Sequence, residues 1–134
     1  LRRVAIAGVL ANQPRLLALD EATTGLDPRG RAEVHNLLRD LRDRLGVTVL
    51  IVSNDMDEVA ELCDRVTVLF GGQSVLAGDM HAVMARGDEL RRWGLEPPAA
   101  QALVRALDQR GVGVWPHAVT VDEAQEAIWQ ALTR

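Results

Sequence analysis

Leu16-Leu17-Ala18-Leu19-Asp20-Glu21, continued by Ala22-Thr23-Thr24-Gly25-Leu26-Asp27-Pro28, is the stretch whose reading decides the fold. Four apolar residues run unbroken and then deliver two adjacent carboxylates. Such a run reads as a strand buried on both faces of a parallel sheet. In open α/β sheets, ligands bind beyond the carboxyl ends of the strands, where Asp20 and Glu21 fall. Two acids at that edge suit a Mg²⁺-nucleotide site, one holding the metal while the other orients an attacking water. Thr23-Thr24-Gly25 supplies a turn, Asp27 follows, and Pro28 suits the first turn of a helix.

Downstream, Val34, Leu37, Leu38, Leu41 and Leu45 fall at i, i+3, i+4, i+7 and i+11, which predicts an amphipathic helix from Pro28 to a stop at Gly46. Residues 47–52 form a β-branched run short enough for a second strand. Strand, helix and strand make a βαβ unit with parallel strands and a right-handed crossover. That geometry brings Ser53-Asn54-Asp55 to the sheet edge that carries Asp20 and Glu21. A short helix follows with Met56, Val59, Ala60 and Cys63 on one face, capped by Asp55 or Asn54. Residues 65–70 and 73–77 read as a hairpin about Gly71-Gly72. Beyond Gly78 the chain turns helical, over 79–85, 88–93 and 99–110. Thr120-Val121-Asp122-Glu123 has capping-box spacing and opens a last helix.

The run from 16 to 28 resembles the Walker B motif and D-loop of ATP-binding-cassette (ABC) ATPases: four apolar residues, then Asp-Glu-Pro-Thr-Ser/Ala-Gly-Leu-Asp-Pro. Ala22 and Thr24 are the departures. The fold this implies is α/β: a partial P-loop NTPase core with parallel strands and flanking helices, plus a small C-terminal helical extension. The resemblance makes ATP and Mg²⁺ the expected cofactors, with Asp20 helping to hold Mg²⁺ and Glu21 polarising the water that attacks the γ-phosphate. Asp27 would belong to the D-loop that crosses to a partner subunit; its other reading is a plain helix N-cap, and one residue can do both. In the family a Ser/Thr-His-Asp follows the second strand, the His contacting the γ-phosphate. Here the residues are Ser53-Asn54-Asp55. Asn54 donates through its amide but is shorter and carries no proton at neutral pH. Losing one oriented donor costs on the order of 10²- to 10³-fold in rate, so the expectation is a slow site that relies on a partner's; the alternative is that Asn54 serves adequately.

Residues 2–10 read as the rest of a helix, and on the resemblance residues 3–7 belong to the helix after the Leu-Ser-Gly-Gly-Gln signature. The chain is therefore expected to be a fragment. Gly71-Gly72-Gln73 echoes the signature but lacks the preceding Leu-Ser and sits in the hairpin. The wording Trp93-Gly94-Leu95-Glu96-Pro97-Pro98, then Leu107-Asp108-Gln109-Arg110-Gly111, then Thr120-Val121-Asp122-Glu123-Ala124 resembles the C-terminal extension of energy-coupling factor (ECF) importer ATPases. There the extension helps pair two ATPases. The implied organisation is an ATPase part over 1–79 and a pairing extension over 80–134. The implied partners are a second ATPase subunit, the same or different, and integral membrane transport subunits that would hold the protein peripherally at the cytoplasmic face of the membrane. The implied work is powering import of a small solute such as a vitamin or metal ion.

Composition narrows the alternatives. The 134 residues suffice for one moderate core with an appendage. No apolar run approaches the roughly 18 residues of a membrane span. All 15 basic residues are Arg, so the Lys of a Gly-x-x-x-x-Gly-Lys-Ser/Thr phosphate loop is not among these residues, and the chain alone is not expected to hydrolyse ATP. A net charge of −4 argues against a nucleic-acid partner, and with it against a repair- or translation-linked ABC ATPase. A truncated, catalytically degenerate remnant is the other rival. The single Cys63 excludes an intrachain disulfide. His35, His81 and His117 show no ligand spacing, and Trp93, Trp115 and Trp129 read as packing for the tail.

Overall fold

A computed structural model describes residues 8–133. The helix expected over 2–10 therefore lies largely outside the described residues, which include its final turn at 8–10. The chain divides into two compact units, Leu1–Asn54 and Asp55–Arg134.

In the first unit, β1 (Leu16–Asp20) is followed by α1 (Pro28–Leu45) and β2 (Thr48–Val52). The strands pair in parallel, from Leu16 opposite Thr48 to Asp20 opposite Val52. Thus β1, α1 and β2 form the βαβ unit that the periodicity predicts. α1 buries Val34, His35, Leu38 and Leu41, an i, i+1, i+4, i+7 stripe of one helix face. Gly46 ends the helix at φ 63°, the left-handed cap that glycine takes without a Cβ clash. Leu45 is not part of the stripe: it is 71% exposed, and His35 takes an inward place instead.

The strands differ from expectation. Their side chains alternate between covered and open, and Leu16, Leu50 and Val52 are each more than half exposed. Successive strand residues point to opposite faces, so a sheet covered on one face only shows this alternation. The unbroken apolar run promised burial on both.

The second unit holds α2 (Met56–Leu62), the antiparallel hairpin β3 (Arg65–Phe70) and β4 (Gln73–Asp79), and four helices: α3 (Met80–Met84), α4 (Gly87–Arg92), α5 (Ala99–Gln109) and α6 (Val121–Leu132). Gly71 and Gly72, at φ 58° and 77°, make the hairpin turn, which is where the signature-like Gly71-Gly72-Gln73 was placed. The core joins Met56, Val59 and Val68 to Met80, Val83, Met84 and Val119, with Cys63 and Trp93 packed against it. The hairpin therefore shares one apolar cluster with the tail. A second cluster, around Val104, Val114 and Ala124, holds α5 against α6. Trp115 and Trp129 are half or more exposed, so of the three tryptophans only Trp93 packs as expected.

Polar ties fasten the tail. Thr120 and Glu123 form the expected capping box on α6. The Glu123 carboxylate also accepts from the Val119 amide at 2.8 Å and lies 2.8 Å from His81 Nε2. Burial pushes the Glu123 carboxyl up, but the Val119 amide, His81 and the Thr120 amide outweigh it and leave its pKa lowered. A carboxylate with a depressed folded pKa stabilises above its unfolded value of about 4.3, and that contribution is lost as the pH falls through the lower folded value. Replacing Glu123→Ala should destabilise by about 1–2 kcal/mol at neutral pH. In urea unfolding the gap from the parent chain should close on acidification below about pH 4; a gap independent of pH would contradict the assignment.

Candidate functional site

The candidate site is built on the ends of two strands. Because β1 and β2 run parallel and in step to Asp20 and Val52, both chains leave the sheet at the same edge. The Glu21 amide extends the ladder by one bond, donating to the Val52 carbonyl at 2.9 Å. Ser53 and Asn54 follow Val52 directly. The fold thus brings Asp20, Glu21 and Asn54 to one rim, all three exposed.

Glu21 stands at φ 46°, in the left-handed region that a side chain rarely adopts. Its backbone is pinned to β2, and from there the chain turns sharply off the sheet. Two overlapping turns follow, with the Thr24 amide donating to the Glu21 carbonyl at 3.2 Å and the Leu26 amide to the Thr23 carbonyl at 3.1 Å. Thr23 is almost fully buried beneath them. The turns deliver Asp27, whose carboxylate accepts from the Gly30 amide at 2.9 Å and caps α1. A Cβ at Gly30 would meet that oxygen at 2.7 Å, so the glycine makes room for the cap.

Asp20 lies at the rim with an exposed, acceptor-only carboxylate. That fits Mg²⁺, which binds protein through one or two carboxylates and takes its other ligands from phosphate and water. No group of three or more His, Cys, Asp or Glu side chains forms a metal cage among the described residues, so any metal here would depend on ligands beyond these side chains. Sequence reasoning names Asp20, Glu21, Asp27 and Asn54; the structure brings Asp20, Glu21 and Asn54 to one strand edge and makes Asp27 the cap of α1. Sequence reasoning missed Gly30, whose signal was its place three residues after the capping Asp27, and the buried Thr23.

No protein-family model matches the chain. Relatives do. An energy-coupling factor transporter ATP-binding protein EcfA2 from Symbiobacterium thermophilum is 50% identical over 127 residues, 95% of this chain and 44% of that protein. The protein of the same name from Caldanaerobacter subterraneus subsp. tengcongensis is 38% identical over 131 residues, 98% of this chain and 46% of its own length. The chain thus spans less than half the length of the curated relatives it matches. Among solved structures it is similar to cbiO1 of Clostridium perfringens, part of the ABC transporter complex cbiONQ. That match has a TM-score of 0.58 at 43% identity and covers 67% of this chain and 36% of the other. It is also similar to an ATP-binding cassette in a dimeric post-hydrolysis state bound to ADP and phosphate, with a TM-score of 0.55 at 30% identity over 59% of this chain and 34% of the other.

Two substitutions probe the rim's backbone. Glu21→Gly should be more stable than Glu21→Ala by about 1 kcal/mol in denaturant unfolding, since only glycine enters the left-handed region without strain. Asp27→Ala should cost about 1 kcal/mol through the lost cap, and Asp27→Asn much less. Equal stability of the two Glu21 variants would contradict the strained turn.

Proposed function

We propose a function on one premise: the chain belongs to the ATP-binding-cassette ATPases and corresponds to the C-terminal part of an energy-coupling factor ATP-binding subunit. In the intact subunit these residues are one half of an ATP-hydrolysing site, and the Lys-bearing phosphate loop comes from outside them. The observation that carries this is the level ending of β1 and β2, which sets Asp20, Glu21 and Asn54 around one rim.

Asp20 is the residue that would hold Mg²⁺, and the ion would supply charge neutralisation at the phosphates. Glu21 acts on water. Its amide is held by the Val52 carbonyl, so the backbone that carries the water-polarising carboxylate is anchored to the sheet. Phosphoryl transfer depends mostly on positioning and charge stabilisation, which a pinned carboxylate provides. Asn54 takes the place of the family's histidine and donates one amide hydrogen to the developing charge. It reaches less far, so this site turns over slowly and an asymmetric pair relies on the partner's site. Asp27 caps α1 and faces a partner subunit through the D-loop.

The extension over 80–134 pairs this subunit with a second ATPase, and membrane subunits dock on the pair. Its exposed apolar residues Leu103, Trp129 and Leu132 support an interface there, since they line a groove of about 780 Å³ between α5 and α6. No described helix is long and apolar enough to cross a membrane, which supports a peripheral place. The exposed face of β1 and β2 is the platform for the rest of the nucleotide-binding domain.

In the intact subunit reconstituted with its partners, Glu21→Gln should lower ATP turnover by about 10²-fold or more while nucleotide binding stays near normal. Normal turnover would remove Glu21 from the mechanism. Asn54→His should raise turnover in the same preparation, and an unchanged rate would show that the amide already serves.

A further inference from the structure

The helix that opens immediately after the Ser53-Asn54 segment also holds the tail. Asp55, the next residue in the chain, caps α2 by accepting from the Asp57 and Glu58 amides at 3.1 and 3.2 Å. Asp57 then uses its own carboxylate elsewhere: it accepts from the Ala99 amide at 2.8 Å, across 42 residues of sequence. That amide belongs to the first turn of α5, a helix without a side-chain cap of its own because Pro98 occupies the cap position. One orphan donor at the start of the tail helix is thus satisfied from α2. Two further polar ties of the extension, Arg105 Nη2 to the Ala85 carbonyl at 3.0 Å and His81 to Glu123, run to the segment around α3 instead.

We propose that Asp57 is a positioning residue that couples the switch segment to the C-terminal extension, so that nucleotide binding at the rim is transmitted to α5. The inference rests on the nucleotide-site reading above. Any displacement of residues 53–55 pulls on the first turn of α2 through the Asp55 cap, and Asp57 in that turn carries the α5 N-terminus with it. α5 forms one wall of the groove that also contains Trp129, so the surface proposed for subunit pairing responds to the state of the site.

Hydrogen–deuterium exchange on the intact, assembled subunit tests it, with and without a non-hydrolysable ATP analogue. In the wild type the analogue should change exchange in the first turn of α5 by about threefold or more. Asp57→Ala should abolish that change while analogue affinity, measured by titration, stays within about twofold. Asp57→Asn keeps a side-chain oxygen acceptor and should restore the response, which a merely destabilised tail would not do. A wild-type response that persists in Asp57→Ala overturns the proposal, as does analogue binding with no response in α5. Failure of the wild type to bind the analogue overturns the nucleotide reading and this inference together, and the titration distinguishes that outcome from the others.

Discussion

The hydrogen bond from the Glu21 amide to the Val52 carbonyl is the constraint on which the site depends. It is the last rung of a parallel ladder, placed one residue beyond β1. Parallel strands need a long crossover between them, which here is α1, and the crossover returns the chain so that both strands end at the same edge. Remove that register and Asp20, Glu21 and Asn54 would have no reason to meet. A slip of one residue would also send every strand side chain to the opposite face.

The same bond explains the strain at Glu21. A residue whose amide is fixed by the neighbouring strand while its chain must leave the sheet at once has few conformations open to it, and φ 46° is one. Strain of this kind costs on the order of 1–3 kcal/mol and persists where surrounding bonds over-determine it. Here the Val52 carbonyl holds one side and two successive turns closing over buried Thr23 hold the other. The side chain that stability alone would choose at this position is glycine. On the proposed reading, a glutamate stands there for its carboxylate.

Much of this was legible in the residues. The 3.6 period of Val34, Leu38 and Leu41, the Pro28 start and the Gly46 stop gave α1 almost to its ends, because each is a local steric or capping signal. The Thr120 and Glu123 spacing predicted the α6 cap for the same reason. What stayed hidden is long-range. Asp57 serves the Ala99 amide and His81 meets Glu123, each pair 42 residues apart, and no local pattern marks such partners. The packing of the hairpin was equally hidden: Val68 joins Met80, Val83 and Val119 in one cluster. The four candidate residues come from a motif, and only the register shows that three of them share a rim.

The open face of the first sheet bears on both stability and chemistry. Leu16, Leu50 and Val52 each leave more than half of their surface in water, forgoing about half of the 1.5–3 kcal/mol that full burial of such a side chain supplies. A two-stranded sheet with one face covered is marginal on that account. Val52 is also the residue whose carbonyl holds the Glu21 amide, so the open face lies directly beside the candidate site. On the proposed reading the cover is the remainder of the nucleotide-binding domain, which also brings the phosphate-gripping lysine. Folding of the domain and assembly of the catalytic site are then one event, and a Glu21 held in a strained turn is preorganised only once the apolar face beneath it is closed.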